Sequence, residues 1–301
     1  CKVERLTDMD FLISVLEQGM IYGIMALGVY ITYKILDFPD LGVDGTFPMG
    51  AAVTAALLKV GVNPYLTLII AFAAGIVAGI CTGLIHVKFK VRDLLSGIIM
   101  MTGLYTINLY IAGTNNVPLF SCNTIFRNEM TKKLFGNQVP AWMDIVIILV
   151  LVLICKILMD LYMKTQSGYL LRAVGDNDVI VTSLAKDKGN VKILGLAISN
   201  GLVALSGCVF AQQSKVFDIS MGTGALVIGL ASVIIGMSFF KKMSFVKATT
   251  AVIIGSIFYK LCVALALKFA GATATKLVTA ILFLVILVVS VDRKKKVKVN
   301  A

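Results

Sequence analysis

The chain has 301 residues, is 58% hydrophobic with a mean hydropathy of +0.93, and carries a formal net charge of +12. Soluble domains are about 45–50% apolar, so this composition excludes an ordinary soluble protein. There is no G-x-x-x-x-G-K-[ST] phosphate loop, no G-x-S-x-G nucleophile turn and no Cys-x-x-Cys pair, which leaves an enzyme reading without residues to stand on.

A bilayer core about 30 Å thick requires roughly 20 apolar residues per helical span. Nine stretches are candidates, at 11–36, 45–60, 65–88, 93–113, 141–163, 193–213, 222–240, 244–268 and 274–291. They predict one all-α polytopic membrane domain over residues 1–301, with about nine transmembrane helices. In the first span, Glu17 and Gln18 lie a turn or two inside. An ionised carboxylate at the centre would cost about 2.5–3.5 kcal/mol on insertion scales, so Glu17 is expected near the interface or paired.

Residues 37–45 place Asp37, Asp40 and Asp44 with Pro39, Gly42 and Gly45 before a short apolar run. Irregular backbone at membrane depth persists only when protein buries it or when it lines a wet cavity. A broken or short second span is therefore expected. If it crosses, nine spans put residue 1 outside; an even number puts it inside.

The third span carries Gly75, Gly79 and Gly83 at the four-residue spacing that lets helices approach closely, as do Gly19 and Gly23 in the first. His86 stands alone beside Lys88, Lys90 and Arg92 and is read as interfacial. The fourth span holds Thr102, Tyr105, Thr106 and Asn108, and the sixth holds Ser199, Asn200 and Ser206. Each deep amide either bonds a neighbouring helix or lines a conduit for a polar solute. Cys81, Cys155, Cys208 and Cys262 read as small apolar residues within spans.

Between these spans, residues 114–140 form a polar segment expected outside, with 125–130 compatible with a short helix on the outer surface. Residues 164–192 form a polar, helix-sized insert. The basic groups at 88–92, in the 164–192 insert, at 241–247 and in the tail at 292–301 all abut span ends. Alternating spans put them on one side, which the positive-inside rule makes cytoplasmic. This is topology and attraction to membrane lipid, not a nucleic-acid surface. Gln212, Gln213, Lys215, Asp218 and Ser220 would join the outer segment in a polar rim. Residues 44–51 (DGTFPMGA) and 218–225 (DISMGTGA) share an acid, a small polar residue and Met-Gly, a short match that either marks duplicated halves or arises by chance.

Three blocks carry a resemblance: residues 19–29 (GMIYGIMALGV) with 35–41 (ILDFPDL), residues 171–178 (LRAVGDND), and residues 197–207 (AISNGLVALSG) leading to Met221 and Gly222. In order and spacing, over about residues 15–290, the chain resembles permease subunits of ABC importers of the branched-chain amino acid type. Residues 38–45 (FPDLGVDG) and 101–109 (MTGLYTINL) are similar to a subgroup working with lipoprotein-type solute-binding proteins, for which aromatic amino acids are among the suggested cargoes. The chain departs from the family at 184–189 (LAKDKG), where a Leu-Gly-Ile turn is common.

The resemblance implies a bacterial cytoplasmic-membrane protein that binds no cofactor itself, ATP and Mg being held by partner ATPase subunits. It also implies a second permease copy, a homodimer being expected, and an extracytoplasmic binding protein. Coupling to the ATPase falls to Arg172, Gly175, Asp176, Asn177, Asp178, Ile180 and Leu184, with Asp176 or Asp178 expected to cap a coupling helix. A translocation path falls to Thr102, Tyr105, Asn108, Asn200 and Ser206, and docking of the binding protein to Arg127, Gln212, Gln213 and Asp218. The expected function is import of a small polar solute, an aromatic or branched-chain amino acid for example, by alternating access. The competing class is an ion-coupled carrier or channel working without an ATPase.

Overall fold

The computed structural model describes residues 2–128, 131, 141–176, 187–241, 246–270 and 277–288. In chain order the helices are α1 (Lys2–Tyr30), continued by a π-helical turn (Ile31–Ile35), α2 (Val43–Lys59), α3 (Pro64–Val87) and α4 (Asp93–Ala112). There follow strand β1 (Asn116–Pro118), α5 (Ala141–Tyr162), α6 (Gln166–Asp176), α7 (Lys188–Ser214) and strand β2 (Val216–Asp218). A 3-10 turn (Ile219–Gly222) then leads to α8 (Ala225–Phe239), α9 (Ala248–Ala270) and α10 (Leu277–Val288).

Among the described residues, seven helical segments are long and apolar enough to cross a membrane. The polytopic helical class is thus observed. Two of the nine expected stretches fall short of that length: α2, with 17 residues, and α10, whose described part is Leu277–Val288. The all-α expectation also meets one exception, an antiparallel pair in which Val117 sits opposite Phe217. Residues 125–128 form bends rather than the start of a surface helix, and residues 129–130 lie outside the described set.

Local sequence places the helix ends. Asn63 accepts from Tyr65 N at 3.0 Å with Pro64 in the first turn, which starts α3. Asp187 accepts from Gly189 N at 2.8 Å and starts α7. Gly113, at φ +77°, closes α4 in the left-handed region that glycine enters freely.

The centre is α7, with α1 and α3 running antiparallel to it. Glu17 meets Gln213 and the Gly28 carbonyl meets Ser199, which orients α1. Thr67 meets Gln212, and the glycine stripe of α3 lies on the α7 backbone: a side chain at Gly83 would come within 2.9 Å of Ile193 Cα. The close-packing expectation for this stripe is therefore observed. The same orientation gathers Lys34, the 88–92 connection, α6, the start of α7 and Lys247 at one end of the bundle. Phe11, at the beginning of the apolar part of α1, lies toward the opposite end.

Two helices begin inside the bundle rather than at a surface. After the π turn, residues 36–42 run irregularly, and α2 starts level with Asn200, about 18 Å along α7 from Lys188 at 1.5 Å per residue. It climbs toward the β pair, where Ala51, Ala55 and Leu58 pack with Val117 and Phe217. The 3-10 turn leads in from β2, and α8 descends in the opposite direction to Phe239. The broken-span expectation for 37–45 matches this arrangement, and its counterpart at 219–224 is a second break. The cysteines divide: Cys155 and Cys208 are buried, whereas Cys81 and Cys262 are exposed and do not serve as core residues.

Candidate functional site

The two breaks meet in a knot of polar groups. Asp40, fully buried, accepts from Gly42 N and from Asn200 Nδ2, both at 2.8 Å. Asn200 Nδ2 also donates to the Leu196 carbonyl at 3.1 Å, and its Oδ1 accepts from the Thr46 hydroxyl at 2.8 Å. Two acceptors on one side and a donor on the other define the orientation of the amide. A buried carboxylate without donors is costly; here the unwound backbone and the amide of α7 supply them.

Asp44 performs the second tie. Its carboxylate accepts from Gly224 N at 3.0 Å and from Leu226 N at 2.8 Å, so an acid of α2 caps the start of α8. Unpaired N–H groups and the helix dipole both favour a carboxylate there. The two similar stretches, 44–51 and 218–225, thus open helices that run opposite ways and are joined at their starts.

The path residues fall into two groups. Asn108 turns inward and donates to the Gly45 carbonyl at 3.0 Å, while its Oδ1 is buried with no partner among the described residues. Asn200 is saturated as above, and Ser206 donates to the Ile21 carbonyl at 2.7 Å. Both are fully buried and offer no group to a passing solute; they hold helices together. Thr102 and Tyr105 instead face outward from α4, Tyr105 being 51% exposed. The five residues expected along one path are therefore not brought together within a single chain.

The residues expected to couple to an ATPase are described in part. The start of α6 is held by Thr165 Oγ1, which accepts from Gly168 N at 3.2 Å. Leu171 and Val174 are buried and Arg172 is exposed, as expected for an amphipathic surface helix. Gly175 lies so close to the Ile35 carbonyl that any side chain would collide with it. Asp176 is the last described residue of α6, and the helix it was expected to cap lies outside the described residues. Asn177, Asp178, Ile180 and Leu184 lie outside the described residues.

At the other end, Gln212 is fully buried, accepting from Ile125 N at 2.9 Å and donating to Thr67 at 3.0 Å. It anchors the outer segment and presents nothing to a docking partner. Arg127 forms a two-point pair with Asp144 at 2.9 and 3.3 Å. Gln213 donates to Glu17 at 3.0 Å, so the carboxylate in the first span is paired as expected. Asp218 accepts from Ser220 N at 2.7 Å and from Asn116 at 3.3 Å, tying the β pair to the 3-10 turn.

One residue escaped the sequence reading. Lys260 stands midway along α9 with Nζ 3.8 Å from the ring centre of Tyr22. That ring stacks on Phe47 at 5.6 Å and meets Phe210 edge-on at 5.6 Å. The lysine makes no ion pair with a carboxylate among the described residues. A cation at mid-span is an expensive placement that usually serves a function. The signal was available, since Lys260 interrupts an otherwise apolar run.

Broken helices starting at mid-depth, tied by buried carboxylates within an otherwise apolar bundle, define a polytopic membrane transport protein. Residues 11–290 match the family described as "Branched-chain amino acid transport system / permease component", and the chain belongs to that family of ABC importer permeases. It is a multi-pass protein of the bacterial plasma membrane. It is 48% identical over 280 residues to the tyrosine transport system permease protein of Clostridioides difficile strain R20291, covering 93% of this chain and 91% of that one. It is 25% identical to the probable branched-chain amino acid transport permease LivH of Methanocaldococcus jannaschii, covering 71% and 70%. It is 24% identical to the ribose import permease RbsC of Haemophilus influenzae, covering 75% and 68%. No solved structure matches the chain.

Proposed function

We propose that this permease carries an amino acid inward, with tyrosine the leading candidate, by alternating access driven by separate ATPase subunits. The observation that carries this reading is the 48% identity, spanning nearly the whole of both chains, to a tyrosine transport permease. Nine crossings, counting α2 and α10, put the start of α1 outside and the basic end in the cytoplasm, consistent with the antiparallel packing of α1 on α7 and the positive-inside rule.

In this reading α6 and residues 177–184 are gripped by the ATPase, which holds ATP and Mg. The grip reaches the spans through the contact of Gly175 with the π turn of α1. A homodimer would place the outward face of α4, with Thr102 and Tyr105, toward the second copy and the path, while Asn200 and Ser206 frame the moving parts. Arg127, Gln213 and Asp218, on the outer end, would meet a solute-binding lipoprotein.

The deciding experiment is uptake of labelled tyrosine into liposomes holding the permease, its ATPase and its binding protein. Uptake is expected only with all three and with ATP inside the compartment that the ATPase faces. Accumulation by the permease alone under an ion gradient would overturn the reading in favour of a secondary carrier.

A further inference from the structure

The basic end of the bundle holds a cavity of about 280 Å³ with a largely apolar lining and charged side chains in its wall, apart from the central knot. Its walls include Tyr30 of α1, Asp160 near the end of α5, Lys164 in the turn after it, Arg172 of α6, and Lys247 and Thr249 at the start of α9. Asp160 is the one carboxylate in this wall, and it is already occupied. Lys156 lies at 3.3 Å, Lys247 at 3.0 Å and the Thr249 hydroxyl at 2.7 Å. Two cations therefore answer one carboxylate before Lys164 and Arg172 are counted. The cavity carries surplus positive charge and suits an oxyanion with several acceptors, of which phosphate, meeting both the point charge of lysine and the fork of arginine, is the best match.

The surface beside the cavity indicates where that phosphate comes from. On α5, Ile157 and Leu161 lie beside Asp160 at neighbouring helical positions, just before Lys164, and are 53% and 55% exposed. An apolar surface adjoining a cationic cavity at a span end suits a molecule with a phosphate head and hydrocarbon tails. We propose that this cavity binds the phosphate of an anionic phospholipid, whose acyl chains lie along Ile157 and Leu161. The bound headgroup would bridge α5, α6 and α9, so that the lipid steadies the helix assigned to coupling. The inference depends on this end lying at the membrane surface and is independent of the transported solute.

The test uses the full chain in nanodiscs of phosphatidylcholine alone, of phosphatidylcholine with phosphatidylglycerol, and of phosphatidylcholine titrated with inorganic phosphate. Native mass spectrometry counts retained lipid, and thermal denaturation reports folding. The wild type is expected to retain phosphatidylglycerol. The K164Q/K247Q pair should retain roughly thirtyfold less, given the contribution of about 1 kcal/mol per surface lysine to anionic-lipid attraction. K247Q also releases Asp160, so K164Q alone provides a variant with that ion pair intact, and it should still lose retention. K241Q, altered at the same end but outside the cavity wall, should retain lipid normally. No retention by the wild type, or equal retention by wild type and K164Q, overturns the site. A thermal shift in phosphatidylcholine discs with free phosphate that equals the shift from phosphatidylglycerol overturns the lipid and assigns the cavity to inorganic phosphate.

Discussion

Asn200 Nδ2 donates to Asp40 Oδ2 at 2.8 Å across 160 positions of sequence, joining the middle of α7 to the unwound segment before α2. Replacing Asn200 by Leu would leave Asp40 Oδ2 without its donor, Asp40 keeping only Gly42 N and the Thr46 hydroxyl only the Gly42 carbonyl. Leaving a buried polar partner unpaired costs about 1–3 kcal/mol, more where it is charged. N200L is expected to lower the thermal midpoint of the detergent-purified protein sharply, and D40N also to lower it, because its amide keeps one of the two accepting oxygens and sets NH2 against the other donor. Wild-type stability in N200L would contradict the role of this bond.

Asp44 caps α8 from a different helix, so its loss should loosen the joint between the breaks. D44A is expected to destabilise by about 1–2 kcal/mol, in the range measured for helix caps, and D44N by less because its oxygen still accepts. Hydrogen exchange at Gly224 and Leu226 is the local measurement, and protection unchanged in D44A would refute the assignment.

Gly175 meets the Ile35 carbonyl without room for a methyl group. G175A and G175P should both shift α6 away from α1, leaving the membrane helices folded but ATPase activity uncoupled from uptake. Reversing the exposed charge in R172E should uncouple without disturbing the α6 contact. Normal transport-linked hydrolysis in these variants would remove α6 from the coupling assignment.

Lys260 supplies a mid-depth cation over an aromatic ring. K260M is expected to slow tyrosine uptake about tenfold, equivalent to losing roughly 1.4 kcal/mol of interaction. K260R, which preserves the charge, should recover part of the rate. A thermal midpoint close to wild type in K260M would separate this effect from misfolding. Uptake unchanged in K260M would make the lysine a packing residue.

The glycine stripe of α3 is a steric requirement. G79V is expected to reduce the amount of folded protein, because its side chain would strike the α7 backbone near Leu196. Overpacking of this kind costs typically 1–3 kcal/mol. Size-exclusion profiles of G79V and a surface control on α4, I99V, provide the comparison.

The sequence by itself determined the solvent, the class and the polarity of this protein. Long apolar runs require a bilayer, basic residues at span ends choose a side, and Pro39 with two glycines makes an uninterrupted second span untenable. These are short-range consequences of hydrophobicity, charge and backbone freedom, and they can be read one residue at a time. Tertiary structure decided what each deep polar group does. Asn200 and Ser206 look available for a solute in one dimension, yet folding uses their hydrogen bonds to join α7 to the unwound segment and to α1. Thr102 and Tyr105, on the same helix as Asn108, face the opposite way. It also decided that α1 enters from the end opposite the basic connections and that Asp44 completes a helix 180 residues away. Such pairings depend on which helices become neighbours, and that choice is made by the packing of the whole bundle.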